Sequence, residues 1–176
     1  MSVCRVRFSG VSMGRKDVVE TNVEELHKKI EDLQKKIEEL SRDAVYGVWT
    51  RPAFLQFCKV MPRGVRAVVF LDFDRIHELN GLVGYSEVDK RIKSSLDISL
   101  RSSDLIARWY SGDEVVILFD GDLEFASRKI NELRARACTN GLSFKYSIGI
   151  WEVGKKEIEV VIDDLSKNLK RKSLDR

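Results

Sequence analysis

The chain has 176 residues, of which 43% are hydrophobic and 34% charged, and its formal net charge is only +3. This length predicts one domain plus an appendage, with enough apolar residues for a core. Interleaved charges without a basic, aromatic-rich block argue against nucleic-acid binding. No apolar run is long enough to span a bilayer, and three widely spaced cysteines are typical of thiols in a reducing compartment. We therefore expect a cytoplasmic protein without a membrane span.

Two segments precede the expected globular domain. Residues 1–22 are predicted to be an extended or poorly ordered leader, because glycines interrupt a short apolar alternation. Residues 23–42 are predicted to form a coiled-coil helix, since apolar residues recur at steps of three and four at Val23, Leu26, Ile30, Leu33, Ile37 and Leu40. β-Branched residues alternating with leucine favour a parallel homodimer. The alternative is an amphipathic helix that docks on its own domain.

Residues 43–176 are predicted to form the domain. Thr50 is the expected N-cap of a short helix that reaches about Val60. The continuous apolar run from Ala67 to Leu71 predicts a strand that is buried on both faces. This strand runs into Asp72-Phe73-Asp74, and the alternation of a strand places both carboxylates on one face at its carboxyl end.

The remaining pattern predicts helices and strands in the order α-α-β-β-α-β-α. These are a short helix near Ile76–Asn80, a helix over 86–100, a hairpin that turns at 111–113, a helix over 122–139, a strand over 142–151 and a helix from Lys155. The helix over 86–100 would bury Val88, Ile92, Leu96 and Leu100 on one face. We therefore expect an α+β, palm-like fold in which helices cover a mixed sheet.

Five segments, in the right order, resemble the GGDEF domain, the diguanylate cyclase fold related to nucleotide cyclases and polymerase palms. They cover about residues 43–172. The segments are Asp43…Gly47…Arg51…Phe54, then Leu71-Asp72-Phe73-Asp74 with Asn80 and Gly84, then Asp89, then Ser111-Gly112-Asp113-Glu114-Val115, and finally Ser147-Ile148-Gly149. A coiled coil that leads into the domain is also similar to the architecture of this family.

The resemblance implies an enzyme in which two domains, each holding one GTP, face each other and form cyclic di-GMP and pyrophosphate. Asp113 and Glu114 would be catalytic, and Mg²⁺ (or Mn²⁺) would be held by Asp72, the carbonyl of Phe73, Asp113 and Glu114. Carboxylates at a strand end and an adjacent turn can converge if their strands are neighbours, and hard oxygen ligands suit Mg²⁺. The alternative is that Asp72 and Asp113 are capped turn residues.

The resemblance also implies a substrate site and a regulatory site. Asn80 and Asp89 would read the guanine edge, the backbone amides of Ser111 and Gly112 would hold phosphate oxygens, and Lys170 would bind the terminal phosphates. Arg101 and Asp104 match a product-inhibition motif that binds cyclic di-GMP, with a surface ion pair as the alternative.

The signature departs from the family pattern. Ser111 replaces glycine, Val115 replaces phenylalanine, and an extra residue between Arg108 and Ser111 indicates a bulge. Two further functions therefore stay open beside the cyclase. One is a catalytically degenerate module that binds GTP or cyclic di-GMP and signals through its coiled coil. The other is a palm nucleotidyltransferase that makes a different cyclic nucleotide.

Overall fold

The computed structural model describes residues 15–110 and 112–174, and side chains over 23–110 and 112–171. The chain divides into two units, Met1–Leu40 and Ser41–Arg176. Helix α1 (Arg15–Ser41) begins ahead of the predicted start at Val23, and the rest of the predicted leader lies outside the described residues. The apolar seam of α1 is exposed, from 44% for Val23 to 81% for Leu40. Along the described chain, every helix is too short or too polar to cross a membrane.

The second unit is built on a five-stranded mixed sheet in the order β1-β3-β4-β2-β5. Strand β1 pairs with β3 in parallel, and the other pairs are antiparallel. The sequence did not predict the short β1, whereas it predicted the other four strands. The strands are β1 (Trp49–Thr50), β2 (Val65–Phe73), β3 (Leu105–Arg108), β4 (Glu114–Phe119) and β5 (Phe144–Glu152).

Helices cover both faces of the sheet, so the predicted α+β architecture is confirmed. The central strand β2 is buried on both sides, with every side chain from Arg66 to Leu71 buried. Burial of a side chain such as Phe70 stabilises the fold by about 1.5–3 kcal/mol. One face is covered by α2 (Arg51–Val60) and α6 (Ile158–Leu174), and the other by α3 (Ile76–Val83), α4 (Tyr85–Leu96) and α5 (Leu123–Thr139).

Two local predictions were wrong. Helix α4 ends at Leu96, and Leu100 is 36% exposed, because Ile98 fills the next buried position instead. The predicted bulge before the hairpin turn does not form, since the pairing of β3 with β4 keeps one register from Leu105 to Arg108. The bond from the amide of Trp109 to the carbonyl of Glu114 (2.9 Å) extends that register. The extra residue of the signature therefore lies outside the paired strands.

Candidate active site

The predicted acids meet at the carboxyl end of β2. Asp72 lies directly opposite Glu114 of β4, and the amide of Phe73 donates to the carbonyl oxygen of Asp113 (3.3 Å). Opposed residues of an antiparallel pair share a face, with Cβ atoms about 5 Å apart. The structure thus brings the end of β2 and the hairpin turn together, and we name Asp72, Asp74, Asp113 and Glu114 the acidic end.

Asp72 is in an electrostatically unfavourable position. Burial raises the pKa of Asp72 to about 6, and the negative charges of Asp113, Glu114 and Asp74 act in the same direction. Lys145 acts in the opposite direction. A half-buried carboxylate crowded by like charges is stabilised when a cation binds beside it. The acidic end is therefore poised to receive positive charge.

The donor chemistry of the acidic end fits a divalent cation. Carboxylate and carbonyl oxygens are the ligands that Mg²⁺ and Mn²⁺ prefer, and Asp72, Phe73, Asp113 and Glu114 can supply them. Within the described side chains, however, no three His, Cys, Asp or Glu groups already form a metal-binding cluster. The carboxylates are close enough to influence one another, and they would have to converge further around a bound ion.

The hairpin turn is held by two residues from elsewhere in the domain. The carbonyl oxygen of Gly112 accepts from Nε of Arg108 (3.0 Å) and from the hydroxyl of Tyr46 (3.5 Å). A Cβ at position 112 would stand 3.1 Å from Oε2 of Glu114, so glycine gives this carboxylate room. Ser111, which we expected to contribute a phosphate-binding amide, lies outside the described residues.

Asp43 connects the start of the domain to this turn. Its Oδ2 pairs with Arg108 (3.2 Å), while its Oδ1 accepts from the amides of Val45 (3.1 Å) and Tyr46 (2.8 Å). The guanidinium of Arg108 also lies 4.5 Å above the ring of Tyr46. Sequence reasoning placed Asp43 in a motif but gave no role to Tyr46 or Arg108. Their contacts join segments 65 and 66 residues apart, which no local pattern reveals.

The two predicted base-reading residues lie on consecutive helices. Asn80 is on α3 and Asp89 is on α4, and both are partly buried. Gly84 joins the helices with φ of +85°, a conformation that favours glycine, and its amide donates to the carbonyl of Asn80 (3.0 Å). Burial raises the pKa of Tyr46 to about 12, and the charges of Asp89 and Asp113 add to this effect. Asp89 and the turn therefore flank the same tyrosine.

Lys170 lies on α6, which packs against β5 and β2. The helix begins near Trp151, whose Nε1 donates to the carbonyl of Lys156 (2.8 Å), and it passes Gly149 at Leu165. It therefore runs back along β5 towards the acidic end. The side chain of Lys170 is exposed in the last turns, on the side of the sheet that Asp72 faces.

The two residues predicted to bind product are placed differently from each other. Asp104 is only 6% exposed, and its carboxylate accepts from the amides of Arg101 (2.9 Å) and Asp120 (2.8 Å). Arg101 is exposed, donates to the carbonyl of Asp120 (2.8 Å) and lies 4.0 Å above the ring of Phe125. Asp104 thus closes the loop before β3, so the alternative of a surface ion pair is wrong.

The sequence of the domain matches a known protein family. Residues 56–173 match the family described as "Diguanylate cyclase, GGDEF domain". The chain belongs to the GGDEF family. The fold that the sequence predicted is confirmed by this match and by solved GGDEF structures.

Two solved structures illustrate the likeness of the GGDEF fold. The diguanylate cyclase SiaD of Pseudomonas aeruginosa, solved with its activator SiaC, has a TM-score of 0.66 at 19% identity, covering 90% of this chain and 69% of that one. The coiled coil and GGDEF domain of DgcB from Caulobacter crescentus, solved with cyclic di-GMP, has a TM-score of 0.68 at 13% identity, covering 89% and 90%. At these identities the likeness shows the fold.

A curated relative shares part of the sequence. The cyclic di-GMP phosphodiesterase NbdA of Pseudomonas aeruginosa is 33% identical over 88 residues, which cover 44% of this chain. The match spans 11% of the length of NbdA. It therefore concerns one region of a much longer protein.

Proposed function

We propose that this GGDEF protein is a diguanylate cyclase that condenses two GTP molecules into cyclic di-GMP and pyrophosphate. The observation that carries the proposal is the pairing of Asp72 with Glu114 beside the backbone of Asp113. The charges of Asp113 and Asp89 both act on Tyr46, and Asn80 lies on the helix before that of Asp89. An acidic site beside a polar pair suits a nucleotide whose phosphates bring a divalent cation and whose base is read separately.

In the proposed reaction, the 3′-oxygen of one GTP attacks the α-phosphorus of the other. The new bond joins O3′ to Pα, the bond from Pα to the bridging oxygen of the β-phosphate breaks, and pyrophosphate leaves with the electron pair. A second, reciprocal attack closes the ring. Glu114 would accept the proton of the 3′-hydroxyl. Bound Mg²⁺ or Mn²⁺ would neutralise charge on the attacking and leaving oxygens.

The remaining residues would bind and orient the nucleotide. Asn80 and Asp89 offer the donors and acceptors that a guanine edge requires, so a base with the opposite pattern would leave polar groups unpaired. The amides of Ser111 and Gly112 would hold phosphate oxygens, and Lys170 would neutralise the terminal phosphates. The frame of Asp43, Arg108 and Tyr46 would keep the turn in position.

Two domains must meet for this chemistry, since each supplies one nucleotide. We propose that the parallel coiled coil of α1 brings them together as a homodimer. Its exposed apolar seam supports this, because exposed apolar stripes of this kind are normally buried by a partner helix.

The second candidate function is a catalytically degenerate module that binds GTP or cyclic di-GMP and signals through its coiled coil. Two observations favour it. The extra residue of the signature lies outside the paired strands, and the carboxylates of the acidic end are not gathered into a cluster within the described part of the chain. A looser site of this kind would retain nucleotide while losing turnover.

The test measures pyrophosphate release and cyclic dinucleotide formation from GTP with Mg²⁺. We expect product from the wild type and at least a ~10²-fold loss for Asp113→Ala, as for removal of a group that stabilises the transition state. Asp163→Ala, an exposed acid on α6, is the matched control and should keep full activity.

The same preparation distinguishes the alternatives. A folded, dimeric protein that makes no product but binds GTP or cyclic di-GMP in calorimetry would support the degenerate module. Product from ATP in preference to GTP would support the other nucleotidyltransferase. Binding of none of these ligands would contradict all three functions.

A further inference from the structure

Lys145 places a positive charge at the acidic end. It lies on β5 directly opposite Asp72, whose other neighbour, on β4, is Glu114. Residues opposed across neighbouring strands share a face. Glu114, Asp72 and Lys145 therefore form one row across three strands, on the face that α6 covers.

The ammonium of Lys145 stands among carboxylates. Its Nζ lies 3.5 Å from Oδ1 of Asp74, and its charge also lowers the pKa of Asp72. The other oxygen of Asp74, Oδ2, accepts from the hydroxyl of Ser143 (3.1 Å). The side chain of Lys145 is 49% exposed, so its long stem leaves the ammonium open to a ligand. The ionisable groups around this ammonium at the acidic end are Asp72, Asp74, Asp113 and Glu114.

A lysine in this position changes what the carboxylates can bind. An ammonium cannot ligate a metal, but its positive charge neutralises part of the negative charge of the carboxylates. It also repels any divalent ion that approaches the same oxygens. A phosphate, in contrast, is attracted to it as to a bound cation.

We propose that Lys145 is a tethered cation that supplies part of the positive charge at the acidic end and limits this end to one divalent ion. The wild-type chain then binds a single divalent ion there, and the ammonium faces the phosphate oxygens of the nucleotide. The part that concerns the nucleotide rests on the proposed function, whereas the effect on divalent ions does not.

The test is a Mn²⁺ titration of the nucleotide-free protein, followed by electron paramagnetic resonance of the unbound ion. Lys145→Gln should bind a second Mn²⁺ or bind the first about tenfold more tightly, a change of about 1.4 kcal/mol. Lys156→Gln is the matched control, because Lys156 is 50% exposed and also pairs with a carboxylate, Asp164, at 2.8 Å. The control should titrate like the wild type. Circular dichroism verifies that all three proteins are folded.

Equal Mn²⁺ binding by the wild type and Lys145→Gln, including binding by neither, overturns the proposal. A change of the same size in Lys156→Gln also overturns it, because the effect would then follow from net charge alone.

A second arm uses α,β-methylene-GTP, which cannot release pyrophosphate. Lys145→Gln should bind it several-fold more weakly than the wild type at low Mg²⁺, and the difference should shrink at high Mg²⁺. If neither protein binds the analogue but the Mn²⁺ difference remains, the proposed function fails and the role of Lys145 towards divalent ions stands. If both bind it equally and Mn²⁺ binding is also equal, Lys145 has no such role and the proposed function survives.

Discussion

Two aspartates lie in opposite electrostatic surroundings. Asp104 lies in the loop before β3, and Asp72 lies at the end of β2. Asp104 is buried and accepts hydrogen bonds from two backbone amides. Asp72 is half-buried among three other carboxylates, which add to the effect of burial on its pKa. The fold therefore stabilises the charged form of Asp104 with hydrogen bonds, whereas it destabilises the charged form of Asp72.

The difference separates an acid that the fold stabilises from one that it leaves without compensation. A satisfied buried carboxylate stabilises the native state, because its removal leaves donors unpaired. An acid among like charges is tolerated where a ligand compensates for it, and such positions concentrate at functional sites. Substitutions in the two regions should therefore change stability in opposite directions.

The largest expected effect on stability is at Asp104. Replacement by alanine removes both acceptors and leaves the amides of Arg101 and Asp120 without them, so we expect a loss of about 2–4 kcal/mol in the free energy of unfolding. Urea denaturation measures this loss. Asp104→Asn keeps one acceptor oxygen and should lose about half as much. An unchanged midpoint for Asp104→Ala would contradict the structural role.

Substitution of Asp72 should raise the free energy of unfolding, whereas substitution of Asp104 should lower it. The pKa of Asp72 is about 6 in the folded state and 3.8 as the reference value, so the folded carboxyl retains its proton at a pH where the unfolded one has lost it. Stability therefore falls as pH rises from about 4 to 6. Asp72→Asn abolishes this cost and should stabilise the metal-free protein at pH 7 by about 1–2 kcal/mol, after allowance for solvent screening.

Urea denaturation of wild type and Asp72→Asn in EDTA, at pH 4 and pH 7, measures this effect. The two proteins should have similar stability at pH 4, and the variant should be more stable at pH 7. A variant that is less stable than the wild type at pH 7 would show that the acid is held by favourable contacts, like Asp104.

The smallest expected effect is at Arg101. Its contacts with the carbonyl of Asp120 and the ring of Phe125 are exposed, so Arg101→Ala should cost only about 0.5–1 kcal/mol. Because this side chain is accessible, we propose that it is the part of the product-inhibition motif that contacts cyclic di-GMP. Turnover assays with added cyclic di-GMP should then show weaker inhibition of Arg101→Ala, with Arg128→Ala, another exposed arginine, inhibited like the wild type.

The central strand and its acid were predictable from sequence, because their signals are local. A continuous apolar run indicates a strand buried on both faces, and the acid that follows it must lie at the strand end. Strand β1 was missed because two residues carry no periodicity. Helix α4 was extended to Leu100 because the spacing of four from Leu96 continues there, although the chain leaves the helix at Asp97.

The contacts that complete the candidate site could not be predicted from sequence. Lys145 faces Asp72 only because β5 pairs with β2 in one particular register, and a shift by one residue would turn it to the other face. Tyr46 reaches Gly112 across 66 positions of the chain. The buried role of Asp104 also depends on tertiary packing, since an Arg-x-x-Asp pattern is equally compatible with an open surface pair.

Strands β3 and β4 pair regularly up to Trp109 and Glu114. The hairpin loop can therefore change in length without changing the register of the sheet. Loop variants that gain or lose a residue near Tyr110 can reshape the rim beside the acidic end while every strand keeps its partner. The domain thus offers a place where selection, or an engineer, can alter the surroundings of these acids without refolding the sheet.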